Sequence, residues 1–318
     1  MTSPAITIDR FTHRYGRTVA VDHLDLEVPA GTVVGLVGQN GAGKTTTIHA
    51  LLNLIQPTAG RLSVFGLDTV ADARRVREQV GYVAETPDLY PWMRVDELLR
   101  FSSAFHSTWD PALAEELTRR LALPRTGRIG QLSRGTRTKV ALVTALAHRP
   151  KLLLLDDPTS GLDPIVRRSF MEEILRTVQA EGGTILFSSH LLHEMERVAD
   201  EVAVLHEGRL LCRSSLESLK AGVKQLRATF EDSPPPDLAL PGLLRRQIRG
   251  RQAILTVREF TGAVAAELRR AGPKSIEVLH LPLEEIFVEI VHAAGGPAPV
   301  DADRAAPVMT AEPGAFHA

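Results

Sequence analysis

The chain has 318 residues, is 44% hydrophobic and 24% charged, and carries a formal net charge of -1 at pH 7. These values are ordinary for a globular protein, and a nearly neutral chain gives no reason to expect a general nucleic-acid binder. The length accommodates one large domain, or a domain of about 200 residues with a smaller second one.

Three features indicate where the protein works. The one cysteine, Cys212, cannot form an intrachain disulfide, which favours a reducing compartment. The N-terminal residues lack the apolar core of a secretory signal, and nowhere do about 18 apolar residues run together as a bilayer span requires. We therefore expect a cytoplasmic protein that could act on a membrane only from its surface.

Short apolar runs of strand length recur along the first two thirds of the chain. They are "AITI", "VVGLV", "QVGYVA", "LLLL", "GTILFSS" and "EVAVLHEGRLL". Helical patterns of ten or more residues, such as "KTTTIHALLNLI", separate several of them, which predicts a wound, mostly parallel α/β sheet. The first and last runs have short turns and alternating polarity, so we expect antiparallel strands to flank the core.

Changes in this pattern predict the domain organisation. Residues 88–149 interrupt the strands and have helical patterns, which predicts a helical subdomain inserted in a first domain spanning residues 1–218. Residues 219–294 have the order of three strands, a helix, a strand and a helix, which predicts a small C-terminal α+β domain. Residues 295–318 are rich in Ala, Pro and Gly without periodicity, so we expect a disordered tail.

The segment "GQNGAGKTT", residues 38–46, matches the phosphate-loop pattern G-x-x-x-x-G-K-[ST] and lies between a predicted strand and a predicted helix. Its glycines allow backbone N–H groups to turn toward phosphates, and the helix N-terminus favours the negative charge. In this pattern Lys44 reaches the β and γ phosphates and the Thr45 hydroxyl ligates Mg²⁺. The residues predicted to hold the phosphates of a nucleotide here are Gly38, Asn40, Gly41, Gly43, Lys44, Thr45 and Thr46.

Two carboxylates follow the leucine run 152–155. Asp156 closes the predicted strand and is the expected magnesium partner of Thr45. On its own, an aspartate two residues before Pro158 could also be a turn residue or a helix N-cap. The phosphate loop upstream favours the metal role.

The segment "QLSRGTRTKVALVTALAHRP" predicts an amphipathic helix opened by Ser133 and Gly135. Its N-terminus would offer a second set of N–H donors to an anion. Considered alone, the pattern indicates only a capped helix. Its position immediately upstream of "KLLLLDDP" favours a second phosphate contact.

The order and spacing of residues 38–46, 132–135, 152–157 and 160–163, followed by His190, resemble an ATP-binding cassette (ABC) ATPase over about residues 5–215. The resemblance implies a P-loop NTPase core, of α/β class, with an antiparallel β subdomain and a helical insert. It also implies that two cassettes face each other head to tail. ATP then lies between the phosphate loop of one and the signature serine and glycine of the other.

The resemblance implies roles for four further positions. Tyr15 would stack on adenine, Ser133 and Gly135 would bind the γ-phosphate of the partner's ATP, and His190 would contact the γ-phosphate of its own site. Residues 160–163 would link the two sites. A tyrosine at a strand edge and a histidine at a strand end are also common as purely structural residues.

The chain departs from the family pattern near both predicted phosphate contacts. Glu85 stands where the family usually has a glutamine that senses magnesium and the attacking water. Glutamate keeps the reach and an acceptor oxygen but adds charge, so Glu85 stays a predicted catalytic and metal residue. Arg134 and Thr136 replace the first glycine and the glutamine of the usual L-S-G-G-Q. The residues that contact phosphate remain, so we expect nucleotide binding to survive.

Asp157 replaces the glutamate that polarises the attacking water in this family. Its side chain is shorter by one carbon–carbon bond, about 1.5 Å. A misplacement of about 1 Å in a catalytic group can cost about 10²-fold in rate. We therefore expect ATP to bind and the dimer to close, with slow hydrolysis at Asp157.

Six of the chain's aromatic residues fall within residues 82–109: Tyr82, Tyr90, Trp92, Phe101, Phe105 and Trp109. In cassette transporters this region receives a short helix of the membrane subunit, and "LYPWM", residues 89–93, is the predicted contact. For Phe101 and Phe105, spaced i, i+4, a small hydrophobic core inside the insert is the favoured alternative.

These patterns predict the ATP-hydrolysing subunit of an ABC transporter, an exporter by the resemblance of its C-terminal unit to those of multidrug and antibiotic-resistance cassettes. Expected partners are a separate polytopic permease and a second cassette, with a homodimer the simpler arrangement, on the inner face of the membrane. The alternative is a soluble cassette ATPase acting on ribosomes or nucleic acid. Such proteins usually carry two cassettes, a long coiled coil or zinc cysteines, which this sequence lacks. A kinase or GTPase would lack the signature helix, and no N-K-x-D motif is present.

Overall fold

The computed structural model describes residues 4–179, 182–189 and 191–296. Within these ranges the strands are β1 (Pro4–Tyr15), β2 (Thr18–Pro29), β3 (Val33–Val37), β4 (Ala59–Val64), β5 (Leu67–Asp68), β6 (Val80–Val83), β7 (Leu152–Asp156), β8 (Thr184–Ser189), β9 (Glu201–His206), β10 (Arg209–Ser215), β11 (Lys224–Thr229), β12 (Leu243–Arg249), β13 (Gln252–Val257) and β14 (Ser275–His280). The helices are α1 (Lys44–Leu51), α2 (Ala73–Gln79), α3 (Val95–Ser103), α4 (Pro111–Arg120), α5 (Arg134–Leu146), α6 (Pro164–Gln179), α7 (Leu192–Val198), α8 (Leu216–Gly222), α9 (Gly262–Arg270) and α10 (Leu283–Ala293). His190 and nearly all of the predicted tail lie outside the described residues.

The central sheet has the strand order β10-β9-β3-β8-β7-β6. Its strands run parallel except β10, which is antiparallel to β9. Every residue of β3, β7 and β8 is buried, because side chains of successive residues enter hydrophobic clusters on opposite faces of the sheet. The predicted wound sheet is confirmed, and the carboxyl ends of β3, β7 and β8 meet at one edge.

An antiparallel sheet with the order β2-β1-β4-β5 packs beside the central one. Inward residues of β2 alternate with exposed ones, and Leu24 and Leu26 share a cluster with Leu36 of β3 and Ile48 of α1. The predicted antiparallel strands at both ends of the core pattern are thus confirmed. This sheet holds the β1–β2 hairpin against the loop that follows β3.

The helical pattern of residues 88–149 corresponds to α3, α4, a 3₁₀ turn at Ile129–Gln131 and α5. Helix α4 begins where Asp110 accepts hydrogen bonds from the amides of Ala112 and Leu113, with Pro111 in its first turn. Helix α5 packs against α3, α4 and β6 and thereby connects the insert to the central sheet.

The third sheet, β12-β13-β11-β14, is antiparallel, and the elements after residue 219 follow the predicted order. Helix α9 covers one face of this sheet with Val264 and Leu268. Helix α10 instead places Ile286 and Phe287 in the same cluster as Met195 of α7 and residues of the central sheet. The last helix therefore packs into the first core, which the sequence did not predict. The domain boundary near residue 219 stays a prediction.

Two histidines stack where α3 and α5 end. The rings of His106 and His148 lie 3.9 Å apart at 18°, and His148 is 2% exposed. Burial, and after it the neighbouring charge of His106, lower the pKa of His148 from 6.5 to about 4. Burial also lowers the pKa of His106. The folded state therefore favours neutral rings.

We expect the free energy of unfolding to fall on acidification because of this pair. A histidine whose folded pKa is depressed stabilises fully above its unfolded pKa and loses that contribution as the pH drops from 6.5 toward 4. For His148 the loss is about 3 kcal/mol. Urea unfolding measured across this pH range should show the free energy of unfolding falling with pH in the wild type and in the control His206→Gln. This pH dependence should be smaller in His148→Gln. An unchanged pH dependence in His148→Gln would contradict the attribution of the effect to His148.

Candidate functional site

The loop between β3 and α1 has the shape of an anion cradle. Gly41 and Gly43 have φ of 84° and 101°, a region that residues with side chains rarely adopt. A Cβ on Gly43 would also lie 2.8 Å from the carbonyl oxygen of Ala20 in β2. Gly43 supplies no side-chain cap to α1, so the amides of the first turn are available to a phosphate.

Lys44 turns back beneath this loop. Its Nζ donates a hydrogen bond to the carbonyl oxygen of Gly38 at 2.6 Å, and the residue is only 8% exposed. Burial lowers the pKa of Lys44. Three neighbouring carboxylates oppose that shift: those of Asp157, Asp156 and Glu85. A buried ammonium at the centre of the loop is placed to meet phosphate oxygens.

Asp156 and Thr45 meet as the sequence predicts. The Thr45 hydroxyl donates to Asp156 Oδ1 at 3.0 Å, and the Ser188 hydroxyl donates to the same oxygen at 2.8 Å. Asp156 is buried at the end of β7, and the next helix begins only at Pro164, so the helix N-cap alternative is wrong. Hydroxyl and carboxylate oxygens are the donors that Mg²⁺ prefers.

Asp157 has a left-handed backbone with φ of 45°. Aspartate tolerates this region better than most residues with a side chain. Its amide donates to the carbonyl oxygen of Ser188 at 3.2 Å and to the Ser188 hydroxyl at 3.0 Å. Ser188 thus holds both aspartates, a role that sequence reasoning missed. The sequence signal for this role was the pair of polar residues, Ser188 and Ser189, at the end of an otherwise apolar, buried strand.

Glu85 lies in the loop after β6 and contacts two segments distant in sequence. The Ser160 hydroxyl donates to Glu85 Oε1 at 3.1 Å. The Arg134 guanidinium donates through Nη2 to the Glu85 carbonyl oxygen at 3.3 Å and lies 3.6 Å from Oε1. The sequence offered Glu85 and Arg134 as separate departures, and the structure brings them together.

The structure describes three further predicted positions: Ser133, Gly135 and Tyr15. Ser133 caps α5 by accepting a hydrogen bond from the amide of Thr136 at 3.2 Å, so the predicted start of this helix is confirmed. Gly135 lies against Leu162. Tyr15 ends β1 with its ring about half exposed, in the hairpin that packs against the phosphate loop. The phosphate and adenine roles of these residues stay predictions, and so does that of His190.

Four aromatic side chains form one exposed patch, the aromatic surface: Tyr90, Trp92, Phe101 and Phe105. Their rings contact in series, with centroids 5.0 to 5.4 Å apart. Phe101 and Phe105 are 39% and 66% exposed, so the interpretation of this pair as a core of the insert is wrong. Val95 and Leu98 form the inward stripe of α3, and Phe101 falls off that stripe.

A cavity of about 360 Å³ adjoins the aromatic surface beside Phe105 and is lined also by Leu52, Leu54 and Tyr82. Leu54 is 57% exposed. Together they form an apolar groove between the insert and the phosphate-loop helix. Of the chain's described part, no helix combines the length and apolarity needed to cross a bilayer.

The comparisons with known proteins decide the family. A family model described as "ABC transporter" matches residues 21–160. The bacitracin transport ATP-binding protein BcrA of Bacillus licheniformis is 34% identical over 220 residues, which cover 69% of this chain and 72% of that protein. This chain belongs to the ABC transporter ATP-binding proteins.

Further similarities agree with this family. The Nod factor export ATP-binding protein I of Cupriavidus metallidurans is 33% identical over 287 residues, which cover 87% of this chain and 93% of that protein. A solved ATP-binding subunit of an ABC transporter matches with a TM-score of 0.63 at 29% identity, over 68% of this chain and 92% of the other. The predicted P-loop NTPase fold and ABC ATPase family are confirmed. The chain is an ATP-binding, ATP-hydrolysing subunit of an ABC transporter.

Proposed function

We propose that this ABC ATPase binds Mg-ATP at residues 38–46 and drives a separate transmembrane permease through the aromatic surface. One observation carries the proposal. The loop after β6 holds Glu85 at the phosphate-loop edge, beside Ser160, and five residues later it reaches the exposed aromatic surface at Tyr90. A single short segment thus connects the nucleotide chemistry to a surface suited to a partner.

The donor set at the carboxyl edge of the sheet fits a magnesium ion. Thr45 and Asp156 would hold it, with Glu85 nearby, and when bound it would neutralise charge on the phosphate oxygens. Lys44 and the amides of the phosphate loop would bind the phosphates themselves, and Tyr15 would stack on the adenine.

In the proposed hydrolysis a water oxygen attacks the γ-phosphorus of ATP while the Asp157 carboxylate takes the water's proton. The bond from the γ-phosphorus to the β–γ bridging oxygen breaks, and ADP leaves with the electron pair. Ser188 fixes the backbone from which Asp157 extends. His190 would contact the γ-phosphate. The short Asp157 side chain makes this step slow in our proposal.

A second cassette completes the proposed site. Ser133 and Gly135 lie where α5 begins, and Gly135 lies against Leu162 in the loop that follows β7. We infer that they contact ATP bound by a partner cassette, and a homodimer is the simpler arrangement. The similarity to bacitracin transport and Nod factor export proteins supports an exporter, at the inner face of the membrane. Nothing observed favours the alternative action on ribosomes or nucleic acid.

Removing the aromatic surface should abolish capture of the permease. Exposed aromatic anchors at interfaces contribute about 2 kcal/mol each, so Trp92→Ser with Phe105→Ser should weaken binding by about 10³-fold. The experiment captures the tagged chain from detergent-solubilised membranes and identifies co-purified proteins. The control changes two exposed apolar residues of the third sheet, Ile248→Ser and Val278→Ser.

The wild type and the control should both bring down a polytopic membrane protein, and the aromatic variant should not. Capture of ribosomes or DNA by the wild type would contradict the transporter assignment. If the aromatic variant captured the membrane protein as well as the wild type does, the proposed docking role of the aromatic surface would be wrong, while the transporter assignment would stand.

A further inference from the structure

The two departures from the family pattern at Glu85 and Arg134 are contact partners within one chain. Their charged atoms, Arg134 Nη2 and Glu85 Oε1, lie 3.6 Å apart, and the same nitrogen donates to the Glu85 carbonyl oxygen. The residues are 49 positions apart in sequence. The family usually has glutamine at the position of Glu85 and glycine at that of Arg134, and these two residues cannot form an ion pair.

The Arg134 side chain also rests on the loop that follows Asp157. A Cβ added to Gly161 would lie 2.9 Å from Arg134 Nη1, so the guanidinium occupies the space that a larger residue would need. The hydroxyl of Ser160, the residue before Gly161, donates to the carboxylate of Glu85. Arg134 and Glu85 therefore join the start of α5, the loop after β6 and the loop after β7.

This contact lies beside a concentration of negative charge. Asp156, Asp157 and Glu85 all act electrostatically on Lys44. A bound triphosphate adds several further negative charges at the same place. A glutamine at position 85 would add no negative charge. A glutamate at this position repels the triphosphate unless a nearby cation offsets the charge of its carboxylate.

We propose that Arg134 is a positioning residue for Glu85: it offsets the carboxylate charge and holds that side chain beside Ser160, so that the triphosphate can bind. The inference rests on the proposed nucleotide site. It makes the two departures a matched pair, because Glu85 disfavours the triphosphate when position 134 carries no positive charge. Arg134 acts through Glu85 and not on phosphate directly.

A double-mutant cycle tests the pair through nucleotide affinity. The probe is ATPγS with Mg²⁺, its Kd measured by calorimetry on the full chain. Both side chains are about half exposed, so we expect Arg134→Gln to weaken binding by about threefold to fivefold. In an Glu85→Gln background the same change should have no effect. Arg134→Lys should keep most of the affinity, because it keeps the charge.

Arg137→Gln is the matched control, since it removes the same charge one turn along α5 and should leave Kd unchanged. High salt should shrink the effect of Arg134→Gln. An equal loss of affinity in the wild-type and Glu85→Gln backgrounds would overturn the proposal, because Arg134 would then act independently of Glu85. No loss in Arg134→Gln would overturn it too. Absence of ATPγS binding by the wild type would instead contradict the proposed nucleotide site.

Discussion

Replacing Asp157 by glutamate is expected to raise the rate of ATP turnover, by up to about 10²-fold. The extra methylene restores the reach of the carboxylate toward the attacking water. The backbone that carries it is held by two hydrogen bonds to Ser188, so the added length moves the carboxylate and not the loop. Glutamate tolerates the φ of 45° less well than aspartate, so some loss of thermal stability should accompany the faster rate.

Asp157→Asn should have the opposite effect on the same step. The amide keeps the size of the side chain but cannot accept the proton, and general-base catalysis typically contributes about 10²- to 10⁴-fold. Affinity for ATP should change little in either variant. Phosphate release at saturating Mg-ATP measures the rates, and substitution of an exposed aspartate of β1, Asp9→Asn, serves as the control. If glutamate gives no gain and asparagine no loss, Asp157 is not the base.

The second large effect concerns stability. Ile286 of α10 is fully buried in the cluster that contains Met195 and the central sheet, and α10 is tied to α7 where the amide of Leu283 donates to Glu196 at 2.8 Å. Ile286→Ala should lower the free energy of unfolding by about 2–5 kcal/mol. Val278→Ala on the exposed face of β14 should cost less than about 0.5 kcal/mol.

Tryptophan fluorescence during urea unfolding distinguishes the packing of α10 from an independent C-terminal domain. Both tryptophans, Trp92 and Trp109, lie in the helical insert, so their signal reports the first core. Ile286→Ala should shift this transition to lower urea. An unshifted tryptophan transition, with loss confined to the third sheet, would contradict the shared core.

Local patterns predicted much of the fold and part of the site. The leucine run predicted β7 because a strand buried on both faces of a parallel sheet has apolar side chains at successive positions. The phosphate-loop motif predicted the pairing of Thr45 with Asp156. Both inferences use the geometry of single elements or of a motif with fixed spacing.

Contacts between distant segments could not be predicted in this way. Ser188 bridges to Asp156 across 32 positions, and no periodicity marks it. The spacing of Phe101 and Phe105 predicted that the two rings meet, which they do, but not that they face outward. Likewise α10 was predicted as a helix, while the core into which it packs depends on how the central sheet and the third sheet are arranged.

The central claim is that ATP hydrolysis in this chain is coupled to a membrane partner through the aromatic surface. The most direct measurement compares Mg-ATP turnover of the chain alone with turnover after reconstitution with its co-purified membrane protein. We predict stimulation of the wild type, and none in Trp92→Ser with Phe105→Ser, whose turnover alone should match the wild type. Equal stimulation of both proteins, or none of the wild type, would contradict the account.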